Sequence, residues 1–123
     1  MQLMKEKNPF YDSKKWREKK EYILRRDGYR CQISARYGKM IPAELVHHVF
    51  PLAEFPEYAF ASWNLISVSW REHNKLHDRQ TDELTEKGRQ LLLRIARQNN
   101  IAIPDKYMKP IKRKHTNGRP STI

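Results

Sequence analysis

Leu45-Val46-His47-His48-Val49-Phe50-Pro51-Leu52 decides how this chain reads. The run is β-prone up to the proline that ends it, and it sets two imidazoles side by side. Downstream lie Trp63-Asn64-Leu65-Ile66-Ser67-Val68, a second short extended run, and Glu72-His73-Asn74-Lys75-Leu76-His77-Asp78, which is polar and helix-compatible. Four of the 5 histidines thus fall between positions 47 and 77. Imidazole is a common metal ligand, and its unperturbed pKa of about 6.5 suits proton abstraction at neutral pH. The set supplies the material for one divalent metal and one general base.

Residues four apart share a helix face, so a helix through this segment would let His73 and His77 bind one ion. A third ligand must come from elsewhere, and the His47-His48 pair is its source. Imidazole nitrogen suits zinc, nickel and similar ions, whereas magnesium prefers oxygen. Neighbouring strand residues point to opposite faces. The pair can therefore serve one site only at a strand end, a bulge or a strongly twisted ribbon; otherwise one histidine meets the metal and the other packs.

The charge narrows the partner. Lys and Arg total 25 against 14 Asp and Glu, a formal net charge of +11 in 123 residues, with a pI near 10.0. That balance suits a polyanion, nucleic acid first and acidic lipid second. Hydrophobic residues make up 38%, so the core is modest and the length fits one domain. No stretch approaches the roughly 20 apolar residues of a membrane span. MQLMKEKNPFYD lacks an apolar h-region, so no secretory signal is expected. Cys31 is the single cysteine; it excludes an intramolecular disulfide and fits a reducing, cytoplasmic location.

Three regions are expected: a flexible arm over 1–12, a domain with flanking helices over 13–100, and a basic tail over 101–123. Ser13 can cap a helix over 14–26, with Trp16, Tyr22 and Ile23 on one side and Asp27-Gly28 as its stop. Residues 29–50 read as a hairpin or paired extended segments, with a turn at Arg36-Tyr37-Gly38-Lys39. A proline-punctuated aromatic loop fills 51–63. A later helix over 85–98 carries Leu91, Leu92, Ile95 and Ala96 at helical spacing, with Arg89, Arg94 and Arg97 alongside.

The succession VHHVFPL, WNLISV, EHNKLH resembles the motif of the HNH endonucleases, and SKKWREKKEYILRRDGYRC resembles the helix that precedes it in small phage proteins of that family. The resemblance covers residues 10 to 79. It implies an α+β fold: a small ββα-metal core with an N-terminal basic helix and a C-terminal helix. It also implies His47, His73 and His77 as ligands of one divalent ion (Mg²⁺, Mn²⁺, Ni²⁺ or Zn²⁺), His48 as the general base, and Asn64 as the brace of the inter-strand loop. The sequence departs from many such phage proteins in the two CxxC pairs that hold a structural zinc. Cys31-Gln32-Ile33-Ser34 and Ser69-Trp70-Arg71-Glu72 stand in their places, so a zinc held by four cysteines cannot form. Packing must replace it, with Trp63, Trp70, Tyr37 and Ile33 as the expected substitutes.

The function implied is metal-dependent hydrolysis of DNA phosphodiester bonds, by nicking or cleaving duplex with low sequence specificity. Arg71, Lys75 and Arg79 are placed to grip phosphates beside the scissile one, and Lys14, Lys15 and Arg17, with the tail, supply further phosphate contacts. Resemblance to small phage proteins implies terminase or other packaging proteins as partners. The alternatives are a catalytically silent HNH-like module that binds DNA or packaging proteins, and a protein whose histidines only stabilise its fold.

Overall fold

The computed structural model describes residues 8–111. The chain divides into two compact units, Met1–Trp70 and Arg71–Ile123.

In the first unit the chain enters through a 3-10 turn, Pro9–Asp12, capped by the Asn8 side chain. Helix α1 follows, Lys14–Arg26, with the Ser13 hydroxyl accepting the Trp16 amide, which satisfies one of the orphan donors at a helix start. Trp16, Ile23 and Leu24 are its buried residues. They recur seven and eight positions apart and so form one stripe. Tyr22, expected on that side, is rotated off the stripe and is 57% exposed.

Strands β1, Leu45–His48, and β2, Leu65–Val68, form a two-stranded antiparallel sheet. Leu45 faces Val68, Val46 faces Ser67, His47 faces Ile66 and His48 faces Leu65. The two-residue period of a strand places Val46 and His48 on one face. Val46 and Leu65 join Trp16, Ile23 and Leu24 in one apolar cluster, so α1 covers that face. Arg26 and Asp27 fasten the end of α1 to β2. The Arg26 guanidinium donates to Ser62 O at 2.8 Å and Leu65 O at 2.6 Å and pairs with Asp27. The Asp27 carboxylate in turn accepts the Ser67 amide at 3.0 Å.

Residues 29–50 depart from the expected hairpin. Ahead of β1 they form helix α2, Gln32–Arg36, and an isolated antiparallel bridge, Arg30 to Pro42. The mixed run after Arg30 lacks the alternation a strand needs, whereas the Cys31 carbonyl accepts the Ala35 amide at 2.9 Å and closes a helical turn. Gly38, at φ +80°, makes the turn expected after it.

The expected replacements for the four-cysteine zinc need correcting. Tyr37 is 72% and Trp70 54% exposed. Ile33 is buried, and Trp63 packs edge-on against Phe50 at 5.5 Å. Cys31 is fully buried, and its thiol is hydrogen-bonded to Ser34 and Ser69. Burial pushes the thiol pKa up, but those bonds outweigh it and leave the value lowered. Serine hydroxyls thus stand at two of the three positions without a thiolate, and at the third Glu72 pairs with Lys75 and Lys87.

Helix α3, Trp70–His73, is a single turn. In the second unit the chain turns back after it, and His77 bridges Leu84. Helix α4, Glu86–Gln98, begins at Thr85, whose hydroxyl accepts the Gly88 amide at 3.1 Å and donates to Lys75 O at 2.6 Å. Arg89, expected alongside the apolar residues of α4, is buried. It bonds both carboxylate oxygens of Glu86 at 2.9 Å and Tyr107 O at 2.8 Å. Glu86 also accepts the Ile111 amide at 2.8 Å. The pair thus holds the described part of the expected tail, including the 3-10 turn Asp105–Tyr107, on α4. The rest of the tail, 112–123, lies outside the described residues. Among the described residues, no helix is long and apolar enough to cross a membrane.

Two stability predictions follow from α4. A Cβ at Gly88 would collide with the Leu76 carbonyl and stand 3.0 Å from Leu84 Cδ2. Gly88→Ala should therefore lower the urea midpoint by the equivalent of about 1–3 kcal/mol despite its better helix propensity; an unchanged or raised midpoint would contradict this packing. The bonds from Arg89 pull the Glu86 carboxyl down to about 2 from an ordinary 4.5. A depressed folded-state pKa stabilises above 4.5 and is lost as pH falls toward 2. Glu86→Gln should flatten that part of the acid-unfolding curve, and an unaltered slope would exclude the assignment.

Candidate metal centre

The strand register sends the two adjacent histidines to different surroundings. His47 is 2% exposed and His48 is 6%. His48 lies on the α1 face, stacked on Trp16 with ring centroids 4.9 Å apart and planes 23° apart. Phe10 and Tyr11, from the N-terminal turn, approach the same ring at 5.8 and 6.1 Å. His48 Nε2 lies 3.1 Å from Ala59 O. A carbonyl oxygen can only accept, so Nε2 carries the proton and the neutral ring keeps its lone pair on Nδ1. Burial lowers the pKa of this ring, against the raising effect of the Ala59 bond.

His47 lies on the opposite face of β1. In the second unit, the His73 and His77 ring nitrogens that could hold a metal ion lie within 4.8 Å of each other. The route to His77 differs from the expected helical face. Helix α3 stops at His73, and the bridge to Leu84 carries His77 back, leaving the two ring centroids 5.1 Å apart. His77 Nδ1 lies 3.1 Å from Asp82 O. It is therefore the donor there, and Nε2 is left to bind a cation. Fixing the tautomer through the second ring nitrogen is how metal-binding histidines are commonly oriented. Burial, with the neighbouring His77, pushes His73 down to about 4, so its ring is neutral at physiological pH, as a ligand must be. Imidazole nitrogens suit a transition ion better than magnesium.

Asn64 is fully buried between the strands. Its Oδ1 accepts the Phe50 amide at 2.7 Å, and its Nδ2 donates to Phe50 O and Tyr58 O, both at 3.2 Å. Its backbone carbonyl accepts the Val49 amide at 2.8 Å. One residue thus pins both ends of the aromatic loop, in which Phe55, Tyr58 and Trp63 pack edge-on around Phe50.

Of the cations singled out for DNA contact, all six are exposed. Lys75 pairs with Glu72 at 3.2 Å and Lys14 with Glu18 at 4.0 Å. Lys15 lies over the Phe60 ring at 4.2 Å, and Arg17 bonds the Asp12 carbonyl. Two contributors escaped the sequence reading. Trp16 was visible as a core aromatic, but no spacing ties it to His48. Gly88 did carry a signal, since a glycine inside a helix usually has a packing reason; its close approach supports Leu76, beside His77.

No family model and no curated protein matches the chain. Among solved structures, the crystal structure of the HNH endonuclease of the deep-sea thermophilic bacteriophage GVE2 with manganese ion is similar to it at 31% identity. The match has a TM-score of 0.52 and covers 53% of this chain and 71% of that one. The chain belongs to the HNH endonuclease family. Its small α+β architecture, with a two-stranded antiparallel sheet, matches the HNH ββα-metal core. The HNH likeness supports a nuclease, and His47, His73 and His77 are residues that could ligate a metal ion.

Removing the Asn64 amide would leave the buried Phe50 amide unsatisfied, a loss of about 1–3 kcal/mol for that group alone. Asn64→Ala should lower stability to chemical denaturation by at least about 2 kcal/mol and speed hydrogen exchange at the Phe50 amide. Wild-type protection at Phe50 in the variant would refute this role.

Proposed function

We propose that this protein is a metal-dependent endonuclease that hydrolyses DNA phosphodiester bonds with low sequence specificity, nicking or cutting duplex. The observation that carries the reading is the His73 and His77 pair, with ring centroids 5.1 Å apart, in a member of the HNH family. A divalent cation bound there supplies Lewis-acid stabilisation of the charge that builds on the scissile phosphate and the leaving oxygen.

The side chains divide the remaining work. His47, His73 and His77 hold the cation through neutral imidazole nitrogens. His48 is the general base: Nε2–H on Ala59 O and the stack on Trp16 fix its ring, and Nδ1 receives a proton from the attacking water. The water oxygen bonds to phosphorus as the bond to the 3′ oxygen breaks, and that oxygen takes a proton from solvent. The products are 5′-phosphate and 3′-hydroxyl ends. Asn64 holds the loop that bears Ala59, and so orients His48 at one remove. Arg71, Lys75, Arg79, Lys14, Lys15 and Arg17 give phosphate contacts that fix position without reading sequence.

One observation favours the catalytically silent alternative. His48 is only 6% exposed, so the base must be uncovered before water and phosphate reach it. Cleavage of supercoiled plasmid with EDTA, Mg²⁺, Mn²⁺, Ni²⁺ or Zn²⁺ separates the readings. Cutting should require a divalent ion. His48→Ala should lower the rate by about 10²–10⁴ while retaining metal affinity, whereas His73→Ala should weaken both. Wild-type cutting by His48→Ala would remove the base assignment. Salt-sensitive DNA binding with no cutting under any ion would select the silent module.

A further inference from the structure

The tip between α2 and β1 is a second place where the surface asks for a partner. Tyr37, Met40 and Ile41 are 72%, 69% and 40% exposed. Single exposed hydrophobic residues are ordinary on a protein surface. Three within five positions are different when the backbone beneath them is fixed. The Tyr37, Gly38 and Lys39 amides bond Ser34 O, Ala35 O and Ser34 O at 3.0, 2.9 and 3.0 Å, and Ile41 O accepts the Cys31 amide at 2.7 Å. The apolar side chains therefore stand on a preformed projection.

The charge around them identifies the occupant. Arg30, Arg36 and Lys39 are exposed on the same segment, and no acidic residue occurs from Gly28 to Ala43. An apolar tip that shares its segment with cations complements a polyanion whose interior is apolar. Duplex DNA has that structure: phosphates outside, stacked bases within. Proteins that bend DNA commonly press such side chains between base pairs at a groove while neighbouring Arg and Lys neutralise phosphates.

We infer that the Tyr37–Ile41 tip is a second duplex-DNA contact, an apolar wedge that unstacks a base step while Arg36 and Lys39 grip the flanking phosphates. This rests on the DNA reading proposed above. It adds a contact outside the histidine site and gives the protein a preference for deformable steps such as TA, which unstack at least cost.

The test uses the full chain in EDTA with a short duplex carrying 2-aminopurine at a central TA step. Wild type should bind and raise the 2-aminopurine fluorescence. Tyr37→Ala/Met40→Ser, two changes at exposed positions, should keep the wild-type melting temperature, lose the fluorescence rise and bind on the order of tenfold more weakly. The salt dependence of its binding should not change. Arg36→Ala/Lys39→Ala should instead reduce the slope of log affinity against log salt by roughly 2, one phosphate per cation removed. A Tyr37→Ala/Met40→Ser variant that binds and unstacks like wild type overturns the wedge while leaving the nuclease reading intact. Failure of wild type to bind duplex at all overturns both. Binding of the tip to vesicles of phosphatidylcholine and phosphatidylglycerol, with no unstacking of DNA, assigns it to an anionic membrane surface and also overturns the wedge.

Discussion

Asn64 is the constraint on which the geometry of the first unit rests. Two strands of four residues each carry too few ladder bonds to set their own pairing in water. The loop that joins them is long, and its ends meet because one buried amide bonds the Phe50 backbone fourteen positions away through both its N–H and its C=O. These bonds leave the strands' outer turns closed around Phe50 and fix where β1 ends. Along β2, Arg26 and Asp27 do the corresponding work by tying α1 to the backbone at Leu65 and Ser67. The sheet is thus held by side-chain bonds to backbone at the Asn64 end and along β2, and by the apolar face of α1.

The same economy appears at the place where the resemblance to small phage HNH proteins implies a four-cysteine zinc site. Cys31, Ser34 and Ser69 meet there through hydrogen bonds, which are individually weaker than metal–thiolate bonds. The compensation is local: the Cys31 amide is tied to Ile41 O, and the Ala43 amide to Tyr29 O at 2.8 Å. A chain closed on itself by backbone bonds at that point has less need of an ion to close it.

Some of this was legible in the sequence, and physical reasons separate those parts from the rest. Helix α1 begins after Ser13 and ends before Asp27-Gly28, and α4 begins after Thr85, because caps and apolar periodicity are local signals. The extended character of residues 45–48 and 65–68 follows from β-branched Val46, Ile66 and Val68, a signal of the same local kind. Helix α2 was not legible, since a five-residue turn has no period to detect. The outward placement of Tyr37 and Trp70 escaped for another reason: aromatic character predicts burial on average, while the backbone beneath them points the side chains out. For the site, the composition of the histidine set was readable. The way His77 reaches His73 was not, because a bridge to Leu84 is a contact made after the chain has turned back.

His47 and His48 are chemically the same residue, one peptide apart. What tells them apart is parity: His48 shares its face with Val46, against Trp16, while His47 lies on the other. A slip of one residue in the pairing of β1 with β2 would exchange their surroundings, sending His48 to the face that His47 now occupies. The division of labour between the two histidines is therefore encoded in backbone counting rather than in side-chain identity. An insertion or deletion of one residue in β1 would scramble it while leaving every histidine in the chain.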